Sequence, residues 1–214
     1  VWQWSEESCN SALTTFLLVN RNYYFCRNIT IDMNFWKNIF LLFVAPQLGW
    51  QEIGKYNVPK DALLSKMFFP MLAVLALSNV ASFFYLSGTS ISSFLQKVIV
   101  DVGVYFFGYM LSTYLLVMIN SKHIDNDKKK LNDVYQFVIY SYAMLMALTI
   151  VENLLPDNLI DVFIILPLYL VYVIWRGYGF IAPKMSEQHF VLTFALSIMA
   201  PYLLLSKMLE LLIV

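Results

Sequence analysis

Five long apolar runs, separated by short polar intervals, set the pattern of the chain. They cover residues 63–86, 94–119, 134–155, 159–181 and 189–214. Each reaches the roughly 20 residues a helix needs to cross a bilayer. Apolar side chains lie all round these runs instead of along one stripe, as burial in lipid requires. Only helices and closed barrels satisfy their backbone in lipid, and the alternation of barrel strands is missing from these runs. The pattern predicts an all-α fold: a polytopic membrane helix bundle of about five transmembrane helices occupying 63–214. The connections at 87–93, 120–133, 153–158 and 182–188 are too short for a folded soluble domain of at least ~50 residues.

A shorter run at 34–44 cannot span. Phe35, Trp36, Ile39, Phe40, Phe43 and Val44 recur at helical spacing on one face, which suits a short interfacial amphipathic helix stopped before Pro46. The alternative is a helix packed against the bundle. Residues 33–62 are thus expected to form a cytoplasmic amphipathic segment. Residues 1–32 differ in character: they are mixed polar, with one apolar patch at 12–19 and no signal-peptide organisation. They are expected to be a non-native or disordered extension, Met33 being the natural start. Cys9 and Cys26 fall in this stretch and match neither a disulfide framework nor a zinc spacing.

Composition agrees with the pattern. Of 214 residues, 60% are hydrophobic and 13% charged, against about 25% charged in soluble domains. The formal net charge is zero, so no nucleic-acid partner is indicated; the bilayer is the expected partner. Lysines and arginines collect before 63 (Lys37, Lys55, Lys60), in the 120–133 loop and around Arg176 and Lys184. The positive-inside rule then places the amino terminus in the cytoplasm and, after five spans, the carboxyl terminus outside. Trp36, Trp50, Trp175 and Arg176 are expected as membrane-interface anchors on the cytoplasmic side.

Ionisable side chains inside spans cost about 2.5–3.5 kcal/mol at the bilayer centre. Lys66 and Arg176 can snorkel. Six others share the outer half of the bundle: Lys97, Asp101, Glu152, Asp161, Lys207 and Glu210. Asp101 is the deepest acid, about 10 Å in at 1.5 Å per residue. These six form a candidate ionisable cluster, either a vestibule for an ion or solute or a set of local ion pairs. Pro70, Pro167 and Pro201 interrupt spans and should kink them. Gly103 and Gly108 miss the four-residue spacing of close-packed helix pairs. There is no His-Glu-x-x-His, no Gly-x-Ser-x-Gly and no cysteine pair in the spans, and His123 and His189 read as ordinary loop residues. No catalytic, cofactor-binding or metal-binding set is expected.

A further set of features is ordered along the chain: Asn34-Phe35-Trp36-Lys37-Asn38-Ile39, Ala45-Pro46, Trp50-Gln51-Glu52-Ile53, Pro70-Met71-Leu72-Ala73, Phe107-Gly108-Tyr109, Tyr140-Ser141-Tyr142-Ala143, Leu154-Leu155-Pro156, Arg176-Gly177 and Pro183-Lys184-Met185-Ser186. In these, residues 34–214 resemble the Yip family of Rab-interacting membrane proteins, in its bacterial branch. The resemblance implies five spans, a cytoplasmic amino terminus, a bacterial inner membrane and no reaction. The expected function is a non-enzymatic scaffold that organises membrane or binds partners, a second copy or another membrane protein among them. The alternative is a small transporter or channel using the outer ionisable cluster.

Overall fold

The computed structural model describes residues 35–56, 58–85, 91–120, 128–155, 166–181 and 186–213. The expected extension at 1–32 lies outside the described residues. Every described element is a helix. Helix α1 is Phe35–Val44 and α2 is Pro46–Lys55. Helix α3 joins Lys60–Leu63, a wide π turn at Leu64–Phe68 and Phe69–Tyr85. Then follow α4 (Ile91–Asn120), α5 (Lys128–Leu154), α6 (Leu166–Arg176), α7 (Tyr178–Ile181) and α8 (Glu187–Ile213). Four of them, α3, α4, α5 and α8, are long and apolar enough to cross a membrane, so the chain is a multi-pass membrane protein. The remaining expected span, 159–181, is described only from 166 and is not one helix: it ends at Arg176, turns at Gly177 and resumes as α7. The polar loop expected at 120–133 is shorter, because Lys128 already opens α5, and His189 lies in the first turn of α8.

Helix α5 is the axis. Within its span 72% of residues are buried inside the protein, against 28–44% for the other three. Phe137, Val138, Ile139, Tyr142, Ala143, Met144 and Met146 are fully enclosed. The outer helices turn large apolar side chains outward instead, among them Leu77, Ile99, Phe107, Leu196 and Leu204. That is the distribution lipid permits: no water is available to punish the outward face, so burial is decided by polarity and packing.

The prolines act as backbone chemistry dictates. The ring of Pro70 clashes with the carbonyl one turn back, and the turn before it widens so that the Phe69 N–H reaches Leu64 O. Pro201 lies inside α8 without ending it. Nearby, the Tyr142 hydroxyl donates to Ile198 O at 3.2 Å and pairs with Ser112 Oγ at 2.7 Å. A phenol has one proton, so Ser112 donates to Tyr142. Gly108 makes room for this hydroxyl, since a β-carbon there would stand 2.9 Å from it. The glycine thus permits close helix approach without the spacing of the dimer motif.

Helices α1 and α2 form a platform docked on one end of the bundle. Pro46 opens α2 at the first helical turn, where its missing N–H costs nothing; the sequence reading missed this helix. Gly49 lets it fold back against the Leu42 backbone, 2.9 Å from where a β-carbon would lie. Lys37 reaches Glu52 at 3.5 Å, and Lys55 bonds the same carboxylate. The Lys55 hydrogen bond, with the charge of Lys37, holds Glu52 below the ordinary carboxylate range. Tyr169 donates to Phe43 O at 2.8 Å, satisfying one of the carbonyls left open at the end of α1.

Trp50 was expected at the lipid interface and is instead in the core, 2% exposed. Its ring stacks on Phe137 (4.4 Å between centroids) and on Phe180 (5.4 Å), and its Nε1 donates to Val173 O at 2.9 Å. The break at Gly177 makes the slot. A β-carbon at Gly177 would strike Phe137 and come within 2.9 Å of Trp50 Nε1. Substitution of Gly177 by Ala is therefore expected to destabilise the protein by about 1–3 kcal/mol through overpacking. Gly179→Ala, which meets nothing within 4 Å, should stay within about 0.5 kcal/mol of the parent. Thermal unfolding of both variants in detergent checks the contrast, which equal melting temperatures would contradict.

Candidate functional site

At the end of the bundle away from the platform, the carboxyl-terminal half of α3, the amino-terminal half of α4 and the last turns of α5 meet through polar side chains. Lys97 Nζ on α4 donates to Asn153 Oδ1 on α5 at 3.1 Å. Asn153 Nδ2 donates to Ser78 Oγ on α3 at 3.0 Å, and Ser78 donates to Leu75 O at 2.7 Å. A second strand starts at Asn79, whose Nδ2 donates to Asp101 Oδ2 at 2.9 Å and also approaches Leu75 O at 3.3 Å. The two strands converge on one backbone carbonyl of α3. Ser78, Asn79 and Asn153 are buried, with at most 6% exposure.

Of the six residues expected to cluster, three come together here. Lys97 and Asp101 stand one turn apart within electrostatic reach of each other, and each also takes an amide partner from another helix. Glu152, next to Asn153, lies within electrostatic reach of both. Lys207 is on the exposed face of α8 near the level of Gly103, against which Leu209 packs. Asp161 and the side chain of Glu210 lie outside the described residues.

Charge in the spans does not point to the neutral members, Ser78, Asn79 and Asn153. A usable signal existed, because amides within apolar spans must find partners. One layer toward the bundle centre, Tyr105 pairs with Thr149 at 2.6 Å and its ring lies 5.4 Å from that of Tyr202, tying α4, α5 and α8.

Chemically, the arrangement holds an ammonium and a carboxylate about one helical turn apart on a framework of neutral amides. An amide both accepts and donates, so Asn153 passes the orientation of Lys97 on to Ser78, and Asn79 presents a donor to Asp101. Such a site can stabilise a mobile charge between α3, α4 and α5.

At the opposite end, Trp36 and Trp175 are exposed, 56% and 44%. Arg176 lies beside both Tyr172 and Trp175, its guanidinium carbon 5.3 and 5.4 Å from the ring centroids. Trp175 donates to Glu187. A cleft of about 410 Å³ opens here, lined by Gln47, Gln51, Gly54, Arg176 and Glu187 among others.

Coupling across the polar network is testable by a double-mutant cycle. Asn79→Leu and Asp101→Leu should each cost about 1–3 kcal/mol, because each leaves a partner unsatisfied. The double variant should cost less than their sum, measured by unfolding in detergent; strict additivity would show that the contact carries no coupling.

Searches of family models, of curated proteins and of solved structures found no match to this chain.

Proposed function

We propose that the protein is a non-enzymatic membrane scaffold that uses the α1–α2 platform to organise the adjoining bilayer or a membrane partner. The observation that carries this reading is the division of α1 into two rows. Phe35, Asn38, Ile39 and Leu42 are buried against the bundle, while Trp36, Phe40 and Val44 are 56–66% exposed, continued by Leu48 on α2 at 57%. A helix needs only one apolar row to dock. The second row is a surplus apolar surface on a firmly held element, suited to the headgroup boundary or to another apolar helix.

The charge distribution supports a cytoplasmic location for this end. The Yip-like features of residues 34–214 fit a location in a bacterial inner membrane. The test is Trp36→Ser, Phe40→Ser and Val44→Ser together, all at exposed positions, with the protein reconstituted in vesicles. Wild-type protein should alter vesicle size or shape, and the triple variant should lose that effect while melting within a few degrees of the parent. Equal behaviour of the two proteins would defeat the reading.

A second reading, a small transporter or channel, is favoured by one observation: the Lys97–Asn153 and Asn79–Asp101 bonds assemble ionisable groups within the bundle. Buried ionisable residues in spans often mark ion or proton pathways. Under this reading, proteoliposomes show proton or cation flux that falls at least tenfold in Asp101→Asn. Wild-type vesicles without flux would remove it.

A further inference from the structure

A groove of about 410 Å³ runs between α3 and α4. Helices α3 and α4 are antiparallel, Phe68 lying against Tyr109 and Asn79 against Asp101. The groove walls on α4 extend from Phe106 to Val117 and on α3 from Lys60 to Phe69. At 1.5 Å per residue the α4 wall is roughly 16 Å long, about one leaflet of a hydrocarbon core ~30 Å thick.

The groove is graded along that length. Its deep part is apolar, formed by Phe69, Phe106 and Met110. Farther up, Tyr109 and Thr113 stand one turn apart on α4, their hydroxyls buried and within reach of each other. Lys60 stands at the aqueous end, its Nζ 4.6 Å from the Tyr135 ring centroid. The Lys60 backbone N–H donates to Asn132 Oδ1, which brings the start of α5, with exposed Lys129 and Lys130, to the same end. Lys66 lies on the π turn of α3, the helix of Lys60, and Asp61 and Asp133 belong to these same end segments.

We propose that this groove binds one anionic phospholipid of the leaflet at the Lys60 end. An acyl chain lies along Phe69, Phe106 and Met110, and the phosphate sits at Lys60. Length, apolarity and the cationic mouth match the parts of such a molecule. The site is on a different face from the α1 row and does not depend on the scaffold reading.

The experiment uses the full chain in neutral detergent, stripped of lipid, with bound lipid counted by native mass spectrometry. Phosphatidylglycerol and phosphatidylcholine with the same acyl chains are compared. The expected preference for phosphatidylglycerol is about fivefold, the contribution of one lysine near an anionic headgroup. Lys60→Glu should bring the ratio close to one and Lys60→Arg should keep it. Loss of the cation over Tyr135 alone would weaken both lipids equally, so the ratio separates recognition from structure. Met110→Trp, at an exposed position, should lower phosphatidylglycerol occupancy by filling the groove, independently of Lys60. Equal affinity of the wild type for both lipids overturns the proposal. So does an unchanged ratio in Lys60→Glu, full occupancy in Met110→Trp, or glycerol phosphate competing as well as the intact lipid.

Discussion

The structure depends on keeping the polar side chains of α5 out of lipid. Between Asn132 and Asn153 this helix carries amides and hydroxyls that hydrocarbon cannot satisfy. Most are answered by other parts of the chain, while Ser141 Oγ is buried without a hydrogen-bond partner among the described residues. Asn132 and Gln136 both donate to Val58 O, at 2.9 and 2.8 Å, fixing the connection between α2 and α3. Tyr140 accepts from Asn38 of α1 at 3.4 Å. Tyr142 joins Ser112 of α4 to Ile198 O of α8, Thr149 meets Tyr105 of α4, and Asn153 ties Ser78 of α3 to Lys97 of α4. Dispersion between Leu, Phe and Met holds the helices together but does not distinguish one rotation from another. The bonded polar positions do: turning α5 by one residue would move each of them off its partner.

The same logic explains the polar network. Ion pairing removed from water rarely compensates its own desolvation. Here Lys97 and Asp101 each gain a neutral amide from a different helix, so the charges are solvated by protein dipoles as well as by each other. The amides are held in turn: Asn153 by Ser78, and Ser78 and Asn79 by the Leu75 carbonyl. That arrangement is buried at its α3 root and exposed at Lys97.

Much of this fold was legible in the sequence. Apolar length and continuity located α3, α4, α5 and α8 to within a few residues at most ends, because a bilayer imposes one length scale on every span. Finer features were hidden for a physical reason: they depend on which side chains meet across the bundle. Trp50 reads as an interfacial anchor when only its ring type and its place near lysines are known. Its burial follows from the gap at Gly177, 127 positions along the chain. The break at Gly177 was likewise concealed within an apolar run. Lys97, Asp101 and Glu152 are legible because charge in a span stands out, whereas Asn79 and Asn153 carry no formal charge and reveal themselves only through hydrogen-bonding capacity.

Trp36 and Trp50 sit only fourteen positions apart in the same platform and meet opposite fates. That contrast says what the platform is. If α1 were a tether resting in the interface, its apolar residues would all turn the same way, toward lipid. Instead the row of Phe35, Ile39 and Leu42 belongs to the protein core, sealed by Tyr169 at the end of α1 and by the Lys37–Glu52–Lys55 cluster at α2. Removing α1 would therefore uncover core surface, and the loss would register as unfolding whatever the helix does at the membrane. The outward row is held at a fixed height and direction relative to the bundle by these same contacts. The proposed scaffold role would use that property: an apolar surface whose position is set by the spans, so that a load on the platform is carried by α5 and the helices bonded to it.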